Sequence, residues 1–320
     1  MSLPIGATTF AAGGWIKGLT IKGILIGALQ SGASVLYATL GEVVVERAGI
    51  VNLGVEGVML MGASVGFAVA VETGNAALAV LGAGLAGGLF NMILGFLVVT
   101  RRANQLASGL ALMFFGVGLS ALLGKPYVGK NIEGLNDIAI PGLSSIPYVG
   151  PILFKHDILI YLMVPLAIAI WYFLTKTKWG LSLRAVGENR TVAYAAGLRP
   201  SVIQYQALFI GGVLGGIGGA HLSLAFTKNW VEWMTAGRGF IAVALVIFSM
   251  WHPLRAIGGA LLFGGAVALQ LQLQAVGAPI SPFLLDMLPY ALTLAVLLIW
   301  GRKRFHSFPE GLKEVFEDTG

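Results

Sequence analysis

Cysteine is absent from this chain of 320 residues, and charged side chains are scarce. Without cysteine the chain forms no disulfide and offers no thiolate as a nucleophile or a metal ligand. Asp, Glu, Lys and Arg make up only 11% of the residues, against roughly 25% in soluble domains. Hydrophobic residues supply 57%, and the mean hydropathy is +0.86. This composition excludes an ordinary soluble protein and predicts an all-α integral membrane protein.

Common motifs of metal binding and ATP hydrolysis are also missing. The four histidines lie far apart, without H-x-x-x-H or H-E-x-x-H spacing, so we expect neither a metal nor a cofactor. Each Gly-Lys pair is followed by Pro126 or Asn131, where a Walker loop requires Ser or Thr. We therefore predict a non-catalytic protein that binds no ATP through a Walker loop of its own. The net charge of +6 comes without a basic cluster interleaved with aromatics, so we expect no nucleic-acid partner.

Long apolar runs predict nine to ten transmembrane helices in a single domain over residues 1–320. The runs lie at 22–40, 54–71, 76–99, 106–123, 157–174, 203–224, 239–251, 256–274 and 283–300. The run 239–251 is short and ends at Trp251-His252-Pro253, which indicates a broken helix. Residues 1–21 suggest either an interfacial helix or part of a tenth span, and they lack the pattern of a cleaved signal peptide.

The distribution of basic residues predicts the orientation of a multi-pass protein in the cell (plasma or inner) membrane. One side collects thirteen of the twenty Lys and Arg residues, which makes it cytoplasmic. These are Arg47, Arg101, Arg102, Lys176, Lys178, Arg184, Arg190, Arg199, Arg255, Arg302, Lys303, Arg304 and Lys313. The C-terminal tail, 301–320, is then cytoplasmic, and the long loop 124–156 lies outside.

Several polar residues stand inside the apolar runs. An ionised group at bilayer depth costs several kcal/mol, so such residues usually face a pore, a partner or a helix break. The candidates for a substrate pathway are Glu42, Asn52, Glu56, Asn91, Asn104, Gln105 and Ser108. Asn91 is better suited to hydrogen-bonding a neighbouring helix, as a lone intramembrane amide. Glu46 and Arg47 either share this role or lie in a short aqueous loop.

Aromatic residues and glycines allow two interpretations each. Trp230, Trp233 and Phe240 lie near predicted outer span ends, where they either contact substrate or anchor the helices at the interface. Asp286 is a further candidate for an outer vestibule. Glycines recur at four-residue spacing, at Gly84 and Gly88 and in the row Gly211, Gly215 and Gly219, which favours close packing of helices in lipid.

The cytoplasmic loop 175–202 contains a predicted helix. Alanines favour a helix in its middle, Gly197 suits a C-terminal stop, and Pro200 lies just beyond it. A short amphipathic helix parallel to the membrane is suited to contact a soluble partner, or it merely fixes the topology.

Four stretches resemble the permeases of bacterial and archaeal ABC importers in the branched-chain amino acid and ribose permease family. They are ERAGIVNLGVEGVMLMGA at 46–63, ANQLASGLAL at 103–112, WGLSLRAVGENRTVAYAAGL at 179–198 and MTAGRGFIAVALVIFSMWHPL at 234–254. The first and last look like the branch that works with a basic-membrane-protein-type lipoprotein and imports nucleosides. The sequence departs from this branch at Met113, where a polar Asn is common.

This resemblance implies a membrane subunit that forms half of a translocation pore. Loop 175–202 would be the coupling helix region, which docks on an ATP-hydrolysing subunit through Arg184, Glu188, Asn189, Ala193 and Gly197. A second, related permease would complete a heterodimer, and an extracytoplasmic lipoprotein would deliver the substrate. Asn, Gln and aromatic side chains are chemically suited to a nucleoside.

Three alternatives stay open at this point. The first is a simple-sugar ABC permease. The second is a transporter driven by an ion gradient through Glu42, Glu56 and Asp286; the long cytoplasmic helix-forming loop and the lack of an obvious inverted repeat argue against it. The third, a membrane-embedded enzyme, lacks paired histidines and thiols.

Overall fold

The structure, a computed structural model, describes residues 20–300 and 309–312, except for the side chains at 296, 297, 299 and 300. The helices are α1 (Ile21–Arg47), α2 (Val55–Thr73), α3 (Ala76–Gly95), α4 (Gln105–Gly124), α5 (Val149–Leu153), α6 (Ile158–Lys176), α7 (Lys178–Glu188), α8 (Arg190–Ala195), α9 (Pro200–His221), α10 (Arg238–Ser249), α11 (Pro253–Ala275), α12 (Pro282–Asp286) and α13 (Leu288–Trp300). Short π-helical turns extend α3 to Thr100 and α9 to Phe226. The predicted all-α membrane fold is confirmed.

Seven helices in the described ranges are long and apolar enough to cross a membrane: α1, α2, α3, α4, α6, α9 and α11. Each coincides with a predicted span. The predicted spans 239–251 and 283–300 correspond to shorter apolar helices, so the count of nine to ten is not confirmed. The interfacial helix or tenth span predicted for 1–21 lies almost entirely outside the described residues, as does most of the tail 301–320.

Helix α9 packs against α1, α2 and α3, and glycines form these contacts. Gly211 meets the backbone of Gly41, Gly212 meets Gly87, and Gly219 meets the backbone of Met59. A Cβ at Gly212 or Gly219 would overlap backbone atoms of the neighbouring helix, and one at Gly211 would overlap the Val45 side chain of α1. The close packing predicted from the glycine row on α9 is therefore confirmed, and it occurs within one chain.

Helix α2 begins inside the bundle. Gly41, six residues before the end of α1, contacts Gly211 of α9, whereas Val58 near the start of α2 contacts Gly215. Residues 48–54 therefore fold back from the end of α1 into the bundle, where Ile50 is completely buried. Irregular backbone is possible at this depth because protein covers it.

The loop between α4 and α6 is tied to the segment that follows α9. The backbone N–H groups of Ile132 and Leu135 donate to carbonyl oxygens in that segment and at the end of α9, at 3.2 and 2.8 Å. Strand β1 (Ile138–Ala139) pairs antiparallel with β2 (Lys155–His156). Next to β2, Asp157 caps α6 and lies 3.4 Å from the ring of buried His221 in α9. These contacts fix this end of the bundle.

The loop predicted to be cytoplasmic, 175–202, contains two helices where the sequence predicts one. Asn189 has an extended backbone that ends α7, and its side chain caps α8 by accepting the Val192 N–H at 2.9 Å. The predicted stop at Gly197 is confirmed, because its φ of +84° is a left-handed conformation that favours glycine. Pro200 then begins α9.

Candidate substrate pathway and coupling segment

Three predicted pathway residues form one buried network. The Asn52 amide donates to the Glu42 carboxylate at 2.9 Å and to Asn91 Oδ1 at 3.2 Å. The Asn91 amide in turn donates to the carbonyl oxygen of Leu208 at 2.7 Å. All three side chains are completely buried. The network therefore joins α1, the inserted segment 48–54, α3 and α9 within the membrane region.

Glu56 lies at the start of α2 and holds the beginning of α10. Its carboxylate accepts the Thr235 hydroxyl at 2.5 Å, the Gly237 N–H at 2.7 Å and the Gly239 N–H at 2.5 Å. A carboxylate is stabilised at a helix N-terminus, where the backbone N–H groups have no partner within the helix. Gly239 is needed for this approach, since a Cβ there would meet the Glu56 backbone at 2.5 Å. Glu56 is thus an anchor for α10.

Both ends of α10 carry unusual backbone. Five of the seven non-glycine residues with positive φ in the described ranges flank this helix: Lys228, Trp233, Ala236, Met250 and Trp251. Such residues are strained and persist only where their surroundings hold them. The Tyr290 hydroxyl donates to the Ala236 carbonyl at 2.6 Å on one side. On the other side, Trp251 Nε1 donates to the Glu46 carboxylate at 2.6 Å.

Glu46 and Arg47 do not lie in an aqueous loop. Both belong to the last turn of α1, and Glu46 is buried. The Arg47 guanidinium donates to the Trp251 carbonyl at 3.4 Å. These two residues therefore connect the end of α1 to the end of α10.

The remaining polar candidates, from the α4 region, lie toward residues 175–202, the predicted coupling region, which is called the coupling segment below. Asn104 caps α4, and Gln105 Oε1 accepts the backbone N–H of Val51 at 2.8 Å. Through this bond Gln105 reaches the inserted segment next to Asn52. Ser108 is buried in the first turns of α4. The predicted pathway residues therefore divide into two groups, one inside the bundle and one at its end.

The aromatic candidates occupy different surroundings. Trp230 is buried against Gly124, whereas Trp233 and Phe240 are exposed by 42% and 37%. Phe240 lies on an exposed face of α10 together with Ile247. Asp286 accepts hydrogen bonds from two glutamine side chains of α11, at 2.7 and 3.0 Å.

The sequence contains one G-x-S-x-G match, at Gly62–Gly66, and it lies within α2. Its Ser64 is completely buried and donates to the Met61 carbonyl at 3.1 Å. A serine nucleophile requires an exposed strand-to-helix turn, so this match is not a catalytic site.

The coupling segment is held to the bundle by one face. Leu183 and Val186 of α7 are buried, and Gly187 contacts the backbone at Arg47 and Gly49. Arg184 is half-buried, and Ala193 is buried in α8. Glu188, Asn189 and Gly197 are exposed. The predicted contact residues therefore lie on both faces of the segment.

Two exposed apolar residues of the coupling segment were missed by sequence analysis. Val192 and Tyr194 of α8 are exposed by 64% and 72%. The break at Asn189, which directs them outward, has no signal in the alanine-rich composition. The three donors to Glu56 were missed as well, because they lie about 180 positions away in the sequence.

Comparison with known proteins shows to which family this chain belongs. Residues 23–297 match the family described as "Branched-chain amino acid transport system / permease component". A protein of Haloferax volcanii provisionally named as the glucose ABC transporter permease TsgC13 is 39% identical over 86% of this chain and 90% of its own length. The guanosine ABC transporter permease NupQ of Bacillus subtilis is 36% identical over 83% and 88%. The nucleoside ABC transporter permease NupC of Lactococcus lactis is 32% identical over 92% and 98%.

These matches cover nearly all helices described above, including α10 and the coupling segment. They confirm the resemblance predicted from the four sequence stretches and favour an ABC permease over the gradient-driven alternative. The chain belongs to the branched-chain amino acid transport system permease family and is a multi-pass permease subunit of an ABC importer.

Proposed function

We propose that this permease subunit imports nucleosides. The observation that carries the proposal is its identity of 36% and 32% to relatives named for guanosine and nucleoside transport, across most of both chains. A second candidate, import of a simple sugar, is favoured by the 39% identity to the relative provisionally named for glucose. A sugar is common to both substrate classes, so the base is the part that separates them.

The energy comes from an ATPase subunit that docks on the coupling segment, and this chain itself is not catalytic. The segment is suited to transmit force, because Leu183, Val186 and Gly187 attach it to the end of α1. Its exposed side offers Glu188, Asn189 and Gly197, together with the apolar Val192 and Tyr194. Movement of this segment changes the pore between outward-facing and inward-facing states.

The substrate passes between this chain and a second, related permease. Glu42, Asn52, Glu56 and Asn91 are completely buried by their own chain, so they do not face an open passage within it. In this proposal they support the pathway by holding α2 and α10, together with Gln105 and Ser108 near the inserted segment. The exposed face of α10 contributes Phe240, which stacks on the base.

An extracytoplasmic binding lipoprotein delivers the substrate to the outer loop 124–156. This loop presents the exposed apolar side chains Leu143, Ile146, Tyr148 and Val149. The C-terminus lies in the cytoplasm, on the same side as the coupling segment, because the basic residues accumulate there.

Uptake of radiolabelled guanosine, adenosine, ribose and glucose tests this function. The chain is expressed with its neighbouring genes, with and without a catalytically dead ATPase subunit. We expect nucleoside uptake, and we expect it to disappear with the dead ATPase. An excess of unlabelled nucleoside should compete with this uptake, whereas an excess of glucose should not. ATPase-dependent uptake of glucose alone would establish the sugar alternative instead.

A further inference from the structure

A polar cavity of about 340 Å³ lies between the start of α4, the coupling segment and the start of α9. It is on the side predicted to be cytoplasmic. The side chains that matter here are Arg102, Asn104, Gln105, Asn189, Arg190 and Gln204. None of them belongs to the buried network around Glu42 or to the Glu56 anchor.

In three carboxamides of this cavity, the side-chain oxygen atom accepts a hydrogen bond from the backbone. The oxygens of Asn104, Gln105 and Asn189 accept backbone N–H groups at 3.0, 2.8 and 2.9 Å. Their NH₂ groups donate no hydrogen bond to any described residue. Asn104 and Asn189 are exposed, and each amide nitrogen carries two donors, so the cavity offers donors to an incoming acceptor.

Two guanidinium groups, of Arg102 and Arg190, also line the cavity and give it positive charge. Arg102 has no hydrogen-bond or ion-pair partner among the described residues, and Arg190 donates to the Ser201 hydroxyl at 2.9 Å. Burial and the charge of Arg102 lower the pKa of Arg190, so the two groups repel one another. Glu188 also lines the cavity, but its carboxylate accepts the backbone N–H of Glu310 at 3.1 Å. Neither arginine forms an ion pair with Glu188 or with any other described residue.

Gln204 contributes an unpaired acceptor to the cavity lining, in contrast to the donors described above. It is 94% buried, and its amide donates to the Ala48 carbonyl at 3.2 Å, while its Oε1 is buried without a hydrogen-bond partner. A buried acceptor without a donor costs roughly 1 to 3 kcal/mol. A bare inorganic anion satisfies the arginines but brings few donors to this oxygen. An organic phosphate with hydroxyl or amino groups satisfies both.

We propose that this cavity binds a cytoplasmic organic phosphate of the size of a nucleoside monophosphate. The phosphate lies between Arg102 and Arg190, where guanidinium groups bind phosphate through paired hydrogen bonds. A hydroxyl or amino group of the ligand donates to Gln204. The volume matches the lower part of the range for small-molecule sites, which is about 300 to 1,000 Å³.

Such a ligand acts as a brake on import. It bridges the start of α4 and the coupling segment, and so it holds that segment against the membrane helices. This consequence rests on the proposed function, in which the segment transmits force from the ATPase. A phosphorylated form of the imported compound would then slow further import.

Binding is measured by calorimetry on the assembled transporter in nanodiscs of neutral lipid, with guanosine monophosphate, inorganic phosphate and guanosine as probes. We expect the monophosphate to bind more tightly than either of the other two. Arg102→Ala should weaken its binding about tenfold, equivalent to roughly 1.4 kcal/mol. The matched control is Arg101→Ala, which changes an exposed neighbouring arginine outside the cavity and should leave binding unchanged. Failure of nucleoside uptake would not affect this readout.

Several outcomes would overturn the proposal. Guanosine binding as tightly as its monophosphate would exclude a phosphate site, and inorganic phosphate binding as tightly would exclude the organic part. Loss of binding in nanodiscs with anionic lipid would assign the cavity to a lipid headgroup. Binding to the chain alone but not to the assembled transporter would assign it to an acidic side chain of the ATPase. Binding only after Glu314, Glu317 and Asp318 are replaced by amides would assign it to the chain's own C-terminus.

Inhibition is measured in proteoliposomes that enclose ATP with or without guanosine monophosphate. The monophosphate should slow uptake by the unchanged protein and by Arg101→Ala. Uptake by Arg102→Ala should be equal in the two conditions and match the uninhibited rate. Equal inhibition of both variants would contradict a brake at this cavity.

Discussion

The donors around Glu56 at the start of α10 and those in the cavity beside the coupling segment differ in whether they have acceptors within the chain. At α10, one hydroxyl and two backbone N–H groups converge on the Glu56 carboxylate within 2.7 Å. In the cavity, the guanidinium of Arg102 and three carboxamide NH₂ groups have no acceptor among the described residues. The donors around Glu56 are paired by the chain itself, whereas those of the cavity are free to pair with water or a ligand.

This difference matches what each region has to do. An unsatisfied polar group in the membrane costs several kcal/mol, which favours the pairing of donors around Glu56 within the chain. At the end that carries the coupling segment, Arg102 and Asn189 are exposed, so water pairs with their donors until a ligand or subunit binds. The interior therefore provides rigidity, whereas regulation and coupling are the roles that we propose for the end that carries the coupling segment. Changes in the interior should affect folding, and changes at the cytoplasmic end should affect transport alone.

Glu56→Ala should break the interior most severely. It leaves three buried donors without an acceptor, at about 3 kcal/mol or more in total. We expect little folded protein, measured by size-exclusion chromatography after mild heating, and no uptake. Glu56→Gln keeps the shape of the side chain but replaces one acceptor oxygen by an NH₂ group, which faces N–H and O–H donors and cannot accept from them. This variant should fold partly and transport poorly.

The control for Glu56 is Glu232→Gln, which changes an exposed carboxylate on the segment before α10. It should fold and transport normally. Normal uptake by Glu56→Gln would show that α10 does not depend on this anchor.

Gly219→Ala should have the next largest effect, through packing. The added Cβ would overlap the backbone of Met59, so α9 would have to move away from α2. Overpacking of this kind typically costs about 1 to 3 kcal/mol. Gly118→Ala is a matched control, since Gly118 is also helical and has nothing within 4 Å of an added Cβ. Equal thermal stability of the two variants would contradict close packing at α9.

Gly197→Pro should change transport at the coupling segment without disturbing the interior of the bundle. Gly197 has a φ of +84° and donates its N–H to the Tyr194 carbonyl at 2.9 Å, whereas proline fixes φ near −65° and has no N–H. We expect the protein to remain folded in the membrane, while ATP hydrolysis continues without nucleoside uptake. Arg184→Glu should act in the same direction by reversing a charge on α7.

Measurement of uptake and ATP hydrolysis on the same preparation checks this uncoupling. Normal uptake by both variants would contradict the assignment of the coupling segment. Loss of folded protein would instead place Gly197 with the interior residues.

The sequence predicted those features that depend on neighbouring residues. Apolar runs located all seven long helices, Trp251-His252-Pro253 indicated the short α10, and the glycine row indicated close packing. It did not predict that α2 begins inside the bundle, because nothing in the apolar pattern at 54–71 marks depth. The donors that meet Glu56 were not predictable either, since their partner is set by the return of the chain after α9. Asn189 ended α7 through its extended backbone, which local helix propensity does not show.

Asp157→Asn should have the smallest effect, at the end of the bundle opposite the coupling segment. Burial raises the pKa of Asp157, but the nearby His221 ring and two backbone N–H groups outweigh it, so its pKa lies below the ordinary value. A lowered pKa adds stability above the unfolded value of about 4, and that stability is lost as pH falls through the lower folded pKa. The variant should lose about 1 kcal/mol, or roughly 2 °C in Tm, at neutral pH. It should also show less destabilisation by acid than the unchanged protein, whereas Asp137→Asn, at an exposed position of the same loop, should alter neither. An acid response that is unchanged in Asp157→Asn would mean that the pair with His221 does not hold this end of the bundle together.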